Sequence, residues 1–175
     1  PEAVKDLGSV SGITPGVMGI TGMETAEIVK GIISRAHPKA VILIDSLASR
    51  SMDRISTTIQ LSNTGISPGS GIGNTRDALD EQTLGVPVVS IGVPMVVDAA
   101  TLAFDAVTRI ENSPFAANND TFSKIKHSLS QNIGNLIVTP KDIDKLVMQM
   151  VNIVSAGINT ALHGIPLDEI EQYIG

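Results

Sequence analysis

The chain contains no cysteine and no tryptophan, and only one tyrosine and three phenylalanines in 175 residues. The missing thiols exclude disulfides, a cysteine nucleophile, thiolate zinc sites and iron–sulfur ligation within this chain. The shortage of rings means that Ile, Val, Leu, Ala and Met must build the core. Positive charge is in deficit as well. Twelve Lys and Arg against 18 Asp and Glu leave a net charge of −6, which disfavours a partner that presents a phosphate backbone. Direct nucleic-acid binding is therefore not expected. Long apolar runs are also missing. No stretch approaches the roughly 20 residues that span a bilayer, and no signal-peptide pattern opens the chain, so no membrane partner is expected. What remains is a globular composition, 42% apolar and 17% charged, long enough for one domain with its own core. The chain opens on Pro1 rather than Met, the expectation for a cleaved product or a fragment.

Helical and strand periodicities alternate along the chain. Thr21-Gly22-Met23-Glu24 reads as a capping box, with Thr at the N-cap and Glu three residues later. Met23, Val29, Ile32, Ile33 and Ala36 follow at helical spacing, and Pro38 stops that helix. The run from Ala40 to Ile44 predicts a buried strand ending at Asp45, with a polar turn or short helix continuing to Arg54. This order of helix then strand is half of a βαβ unit whose first strand is expected upstream. Ile55 to Ser62 alternates as a strand with one face inward. Residues 63–75 are a glycine-rich loop. Val86 to Val93 reads as a second buried strand ended by Pro94, and Asp98 to Ile110 as a helix. A polar connector occupies 112–120, followed by a short helix from Phe122 to Leu129 and a short strand from Asn135 to Val138. Thr139-Pro140-Lys141-Asp142 reads as a helix start with Thr at the N-cap, and Gly164 and Pro166 close that helix. The alternation implies an α/β fold in a single domain over 1–175, with a mostly parallel sheet and helices on both faces.

Asp45 has the clearest address for chemistry. A carboxylate at the carboxyl end of a buried strand faces the loops, where open α/β sheets hold their sites. A helix N-cap is the plainer job for such a residue, and on the residues alone it ranks first. Asp98, after its own apolar run, reads the same way. Were the two strands neighbours, both acids would face one rim. Two close carboxylates separate their pKa values into an acid and a base suited to water-mediated hydrolysis. Arg50 and Arg54, one and two turns past Asp45, are candidates for holding a carboxylate ionised or polarising a carbonyl, with a solvated face as the plain alternative. Gly69, Gly71 and Gly73 lack the spacing of a phosphate loop and its Gly-Lys-Ser/Thr ending. A loop with positive φ angles is the preferred reading. A substrate-facing wall, oriented by Asn74, is another. His37, His127 and His163 show no metal-ligand spacing, and no G-x-S-x-G elbow is present. No cofactor and no metal is implied.

Longer blocks carry a family resemblance. Pro15-Gly16-Val17-Met18-Gly19-Ile20-Thr21-Gly22-Met23-Glu24-Thr25 resembles the P-G-V-M-G-x-T-G-x-E-T segment of the spore germination protease family. Ile44-Asp45-Ser46-Leu47-Ala48-Ser49-Arg50-Ser51 is similar to its I-D-A-L-A-A-R-S segment. The stretch from Thr58 to Asn74 resembles its T-I-Q-I-S-x-x-G-I-x-P-G-S-G-V-G-N block, and 85–99, 135–141 and 159–163 match further blocks. The likeness covers most of the chain and points to the family's C-terminal portion.

The resemblance implies an endopeptidase of spore-forming bacteria that initiates degradation of small acid-soluble spore proteins during germination, in the cytoplasm of the spore core. It also implies a zymogen that trims its own N-terminus, a homotetramer, and an α/β fold similar to that of hydrogenase-maturation proteases. The family is thought to use an aspartate pair. Asp45 matches one member; the other belongs to a segment that precedes residue 1. This chain alone is then expected to be inactive, with the missing N-terminal portion of the same protein as a partner. Arg50, Asp98, Gly69, Gly71, Gly73 and Asn74 are the supporting or substrate-facing candidates. Two rival expectations stand beside this one. One is a metal-assisted maturation-type protease with a divalent ion between carboxylates. The other is a catalytically incomplete fragment acting as a binding or assembly module.

Overall fold

The computed structural model describes residues 8–69, 76–109, 119–132, 136–164, 166, 168 and 169. The chain divides into two compact units. One runs from Pro15 to Lys141; the other joins the residues before Pro15 to those from Asp142 onward.

The larger unit holds helices α1 (Met18–Thr21), α2 (Thr25–Ala36), α3 (Glu81–Leu84), α4 (Ala99–Thr108) and α5 (Asn119–Asn132). Its sheet is built from β1 (Val41–Ser49), β2 (Gln60–Ser62), β3 (Val88–Asp98) and β4 (Ile137–Val138). β3 is central. It pairs in parallel with β1, from Val41 opposite Val88 to Ser49 opposite Val97. It pairs antiparallel with β2 around Ile91 and with β4 at Val97 and Asp98. The fold is thus α/β, but the sheet is mixed, one long parallel ladder with two short antiparallel ones. The alternating pattern predicted a mostly parallel sheet. Strand polarity depends on the edge at which each connection enters, which local periodicity does not encode.

Two strands outrun their predicted ends. β1 continues four residues past Asp45 to Ser49. β3 runs straight through Pro94, because the register shifts between Leu47 and Ala48, which face Pro94 and Val96, leaving Met95 as the extra residue of a bulge. The groups freed by that bulge are satisfied from outside the ladder. The Pro94 carbonyl accepts from the Ser56 amide at 2.7 Å, and the Met95 carbonyl accepts from Thr139 Oγ1 at 3.1 Å. Thr139, engaged in this way, is not the N-cap its sequence context predicted.

Local hydroxyl chemistry also shortens the strand expected at Ile55 to Ser62. Met52–Arg54 form a 3-10 turn, and Thr57 Oγ1 donates to the Asp53 carbonyl at 2.6 Å. Such back-bonding competes with a ladder, so only Gln60–Ser62 pair. At α2 the cap is Glu24 rather than Thr21. Thr21 closes α1, its hydroxyl accepts from the Met23 amide at 3.2 Å, and the Glu27 carboxylate accepts from the Glu24 amide at 3.3 Å. The helix ends at His37 in a left-handed conformation, φ 47°, just before Pro38.

The main core cluster lies on one sheet face, and Ile91 and Val93 are buried on the other. Leu43 and Val88, pointing the same way by the two-residue alternation of a strand, pack with Ala26 and Val29 of α2, Leu84 of α3, and Leu79. Burying each of the larger side chains contributes about 1.5–3 kcal/mol. At the far end of β3, Asp98 Oδ1 accepts from the Ala100 amide at 2.7 Å and caps α4. Phe104 of α4 and Phe122 of α5 meet edge to face, centroids 5.5 Å apart.

The smaller unit is dominated by α6 (Ile143–His163), 21 residues ended by Gly164 at φ 65°. None of its described residues is buried. Among the described residues, no helix is long and apolar enough to cross a membrane.

Candidate active site

Asp45 sits in the middle of β1, not at its end. Its partner on β3 is Gly92, whose partner on β2 is Gln60. The three form one row across the sheet, side chains on the core face. The adjoining row, nearer the helix cover, is Leu43, Ser90 and Ser62. Beyond Leu43 the α2 cover stops; Leu47 leans over Gly92, and Ser90 is too small to fill the floor beside it. A cavity of about 290 Å³ results. Asp45 and Leu47 wall it from β1, Gln60 and Ser62 from β2, and the turn from Thr64 to Ser67 closes one side.

That turn is held by close backbone packing. Ile66 and Leu79 exchange both backbone hydrogen bonds, at 3.0 and 2.7 Å. Gly65, at φ 80°, lies so near them that a Cβ would overlap the Leu79 carbonyl oxygen and come within 2.7 Å of Asp80 Cα. Only glycine fits both the dihedral and the space. The neighbouring Asp80 caps α3: its Oδ1 accepts from the Thr83 amide at 2.7 Å. Hydrogen bonds from the Thr83 backbone and side chain hold its carboxyl below the usual range. Ser62 and Thr64 satisfy each other, their hydroxyls 2.6 Å apart.

Asp45 has the opposite electrostatics. It is half-buried, and burial pushes its carboxyl above the usual range, partly offset by the Ser46 amide, which donates to Oδ1 at 2.8 Å. Among the described residues, the other side chains that wall the cavity are uncharged. The site is therefore a neutral, hydroxyl-rich hollow with one carboxyl poised to hold its proton longer than usual.

The other expected site residues stand elsewhere. Asp98 is six positions beyond Gly92, roughly 20 Å along β3, and caps α4. The two acids do not share a rim. Arg50 is exposed and lies five positions along an extended strand, roughly 16 Å from Asp45, instead of one helical turn. Arg54 falls in the 3-10 turn. Gly69 takes φ 74°, the positive angle expected of it, and is not among the residues walling the cavity. Gly71, Gly73 and Asn74 lie outside the described residues. Among the described residues, no three or more His, Asp or Glu gather as a metal-binding group.

The germination protease family matches this sequence over residues 1–114 and 115–174. The chain belongs to the germination protease family. The germination protease of Caldanaerobacter subterraneus subsp. tengcongensis is 48% identical over 185 residues, covering 97% of this chain and 57% of that protein. That of Clostridium tetani is 46% identical over 189 residues, covering 99% and 58%. For that of Bacillus subtilis the figures are 41% over 209 residues, covering 93% and 57%. The chain thus spans a little under three fifths of the length of these relatives. The family match breaks between residues 114 and 115, inside the polar connector.

Within this family member, sequence reasoning missed Gln60, Ser90, Gly92 and Gly65. A signal existed for three of them. Ser90 and Gly92 are small residues two apart in an apolar run, which leaves a hollow on one strand face. Gln60 is a polar residue whose parity in β2 matches that face. The register that joins them to Asp45 had no local signature.

Proposed function

We propose that this chain carries the Asp45 part of an endopeptidase that initiates degradation of small acid-soluble spore proteins during germination. Family membership supports the peptidase reading. The observation that carries the residue assignment is the half-buried Asp45 carboxyl, raised in pKa, on the wall of a cavity whose other described lining residues are uncharged. A carboxyl that releases its proton late suits general acid–base work on a water and a scissile amide. Water adds to the carbonyl carbon while one carboxyl protonates the carbonyl oxygen and a second carboxylate takes the proton from water. The second acid would come from the length of the relatives that this chain does not span. The same reading includes a single α/β domain completed by that length, related to hydrogenase-maturation proteases, and a zymogen that matures to a homotetramer in the spore core. Arg50, Asp98, Gly69, Gly71, Gly73 and Asn74 are the candidates for supporting or contacting substrate in the same reading.

The test uses the full-length protein. Asp45→Asn should lower kcat on spore proteins by about 10³-fold. Asp98→Asn should change it by no more than about twofold, because Asn also caps helices. Full turnover by the Asp45 variant would remove Asp45 from the mechanism. Loss of activity on chelation would favour the metal-assisted alternative, and substrate binding without any cleavage would favour an assembly module.

A further inference from the structure

Ser90 is the most informative side chain that the mechanism leaves unused. It is 2% exposed, and its hydroxyl has no hydrogen-bond partner. Buried hydroxyls are nearly always paired, and an unpaired one carries a desolvation cost with nothing to offset it. Ser90 lies in the floor of the Asp45 cavity, one row from Asp45, between Leu43 and Ser62. Its neighbour Ser62 turns to Thr64 instead, the two hydroxyls 2.6 Å apart, and does not pair with Ser90. Gln60 stands on the opposite wall from Asp45, two strand spacings or roughly 10 Å away. Leu47 leans over Gly92 between them; a Cβ on Gly92 would overlap its side chain. The space left on the other side of that row is therefore bounded by a hydroxyl below, a carboxamide on one wall and a carboxyl on the other.

We propose that Ser90 and Gln60 form a main-chain binding subsite of the peptidase, in which the Ser90 hydroxyl donates to a carbonyl of an extended peptide and the Gln60 carboxamide bonds the same backbone. Together they set the peptide's distance from Asp45. The inference rests on the peptidase reading above and adds the groups that orient the substrate. A neutral donor and a carboxamide recognise the peptide unit itself, with no demand on side-chain charge. They are positioning residues, and Asp45 alone of the three takes part in proton transfer.

Full-length protein carrying Ser90→Ala or Gln60→Ala tests this against the unmodified enzyme. The probe is a peptide spanning a site that the unmodified enzyme cuts in a small acid-soluble spore protein. Each variant should raise KM by roughly 5- to 15-fold, the loss of one neutral hydrogen bond, with the pH profile of kcat unchanged. In the Asp45→Asn background, where the peptide is not cut, the same substitutions should weaken its Kd by the same factor. Ser90→Ala should leave the thermal midpoint unchanged or raise it, because an unpaired buried hydroxyl is removed. A purely structural role predicts the reverse, a lower midpoint with KM and Kd unmoved, and would overturn the proposal. Gln60 is exposed, so its variant folds even if Ser90→Ala does not. An unchanged KM and Kd for Gln60→Ala removes it from the subsite. If Asp45→Asn remains active, the peptidase assignment of Asp45 fails instead, and the KM comparison in the otherwise unmodified enzyme still reports on the subsite.

Discussion

Under α2, the sheet face shared by β1 and β3 is filled: Leu43 and Val88 are 8% and 3% exposed. Further along the same two strands, two residues past Leu43 and four past Val88, that face carries Asp45 and Gly92 and opens into a cavity. The parallel β1–β3 ladder runs unbroken through the two halves, and β2 joins it only from Ser90 to Gly92. What changes is the size of the inward residues on the central strand, which shrink from Val88 through Ser90 to Gly92. The site arises because the floor recedes while the walls stay in place. A carboxyl standing on such a wall is raised in pKa by the neighbouring dry core, with no charged partner required. Asp80, a short distance along the chain, is lowered because its oxygens are engaged at a helix N-terminus. Two aspartates of one unit are thus driven in opposite directions by burial and by capping.

The contrast between the filled and open halves is most sharply broken by Leu43→Ala. It should cost about 3 kcal/mol in denaturant unfolding, within the usual range for a buried Leu. A cost near zero would mean that the covered half is no better packed than the open one. Gly65→Ala should come next, at about 2 kcal/mol, from the positive φ and the overlap with Leu79 and Asp80. Gly85, at φ 72°, is the control, because nothing lies within 4 Å of a Cβ there. Gly85→Ala should cost about 1 kcal/mol, and equal costs at both positions would show that the turn wall yields freely. Asp98→Ala should lose about 1 kcal/mol as a missing N-cap, with Asn restoring most of it. An unaffected thermal midpoint would remove the cap from the account of α4.

The smallest effect sharpens the electrostatic side. The folded Asp45 carboxyl has a raised pKa, so the folded chain binds its proton more tightly than the unfolded chain does. The stability this contributes is fully present below the unfolded pKa of about 4 and is lost as pH rises through the folded value. Asp45→Asn should therefore become more stable relative to the native chain as pH rises through that window, and level off above it. Unfolding midpoints measured across pH 3 to 8 check the sign. A gap that closes with rising pH would mean that the carboxyl is stabilised by charge instead of penalised by burial.

The strands at Val41 and Val88, the helices that begin near Thr25 and Ala99, and the long helix ending at Gly164 were legible because each is written in residues close together in sequence. So was Asp45 as a residue of interest. The strand ends were not. Asp45 looked terminal because the apolar run stops there, yet Ala48 and Ser49 find partners in Val96 and Val97 across the bulge. Pro94 looked like a stop, yet Ser56 and Thr139, 38 and 45 positions away in sequence, satisfy the carbonyls beside it. Thr139 looked like a cap, yet its hydroxyl was recruited by that same strand. Each of these outcomes was decided by a partner distant in sequence.

Composition and periodicity therefore sufficed for the class of fold, most of its helices and one carboxylate, and the resemblance of long blocks for the family, since these follow from neighbours along the chain. The row Asp45–Gly92–Gln60, the mixed polarity of the sheet and the hollow above Ser90 came from the register between strands. Register is set by how separate segments bury their apolar faces together, and a two-residue alternation is satisfied equally well by many pairings until one packed core selects among them.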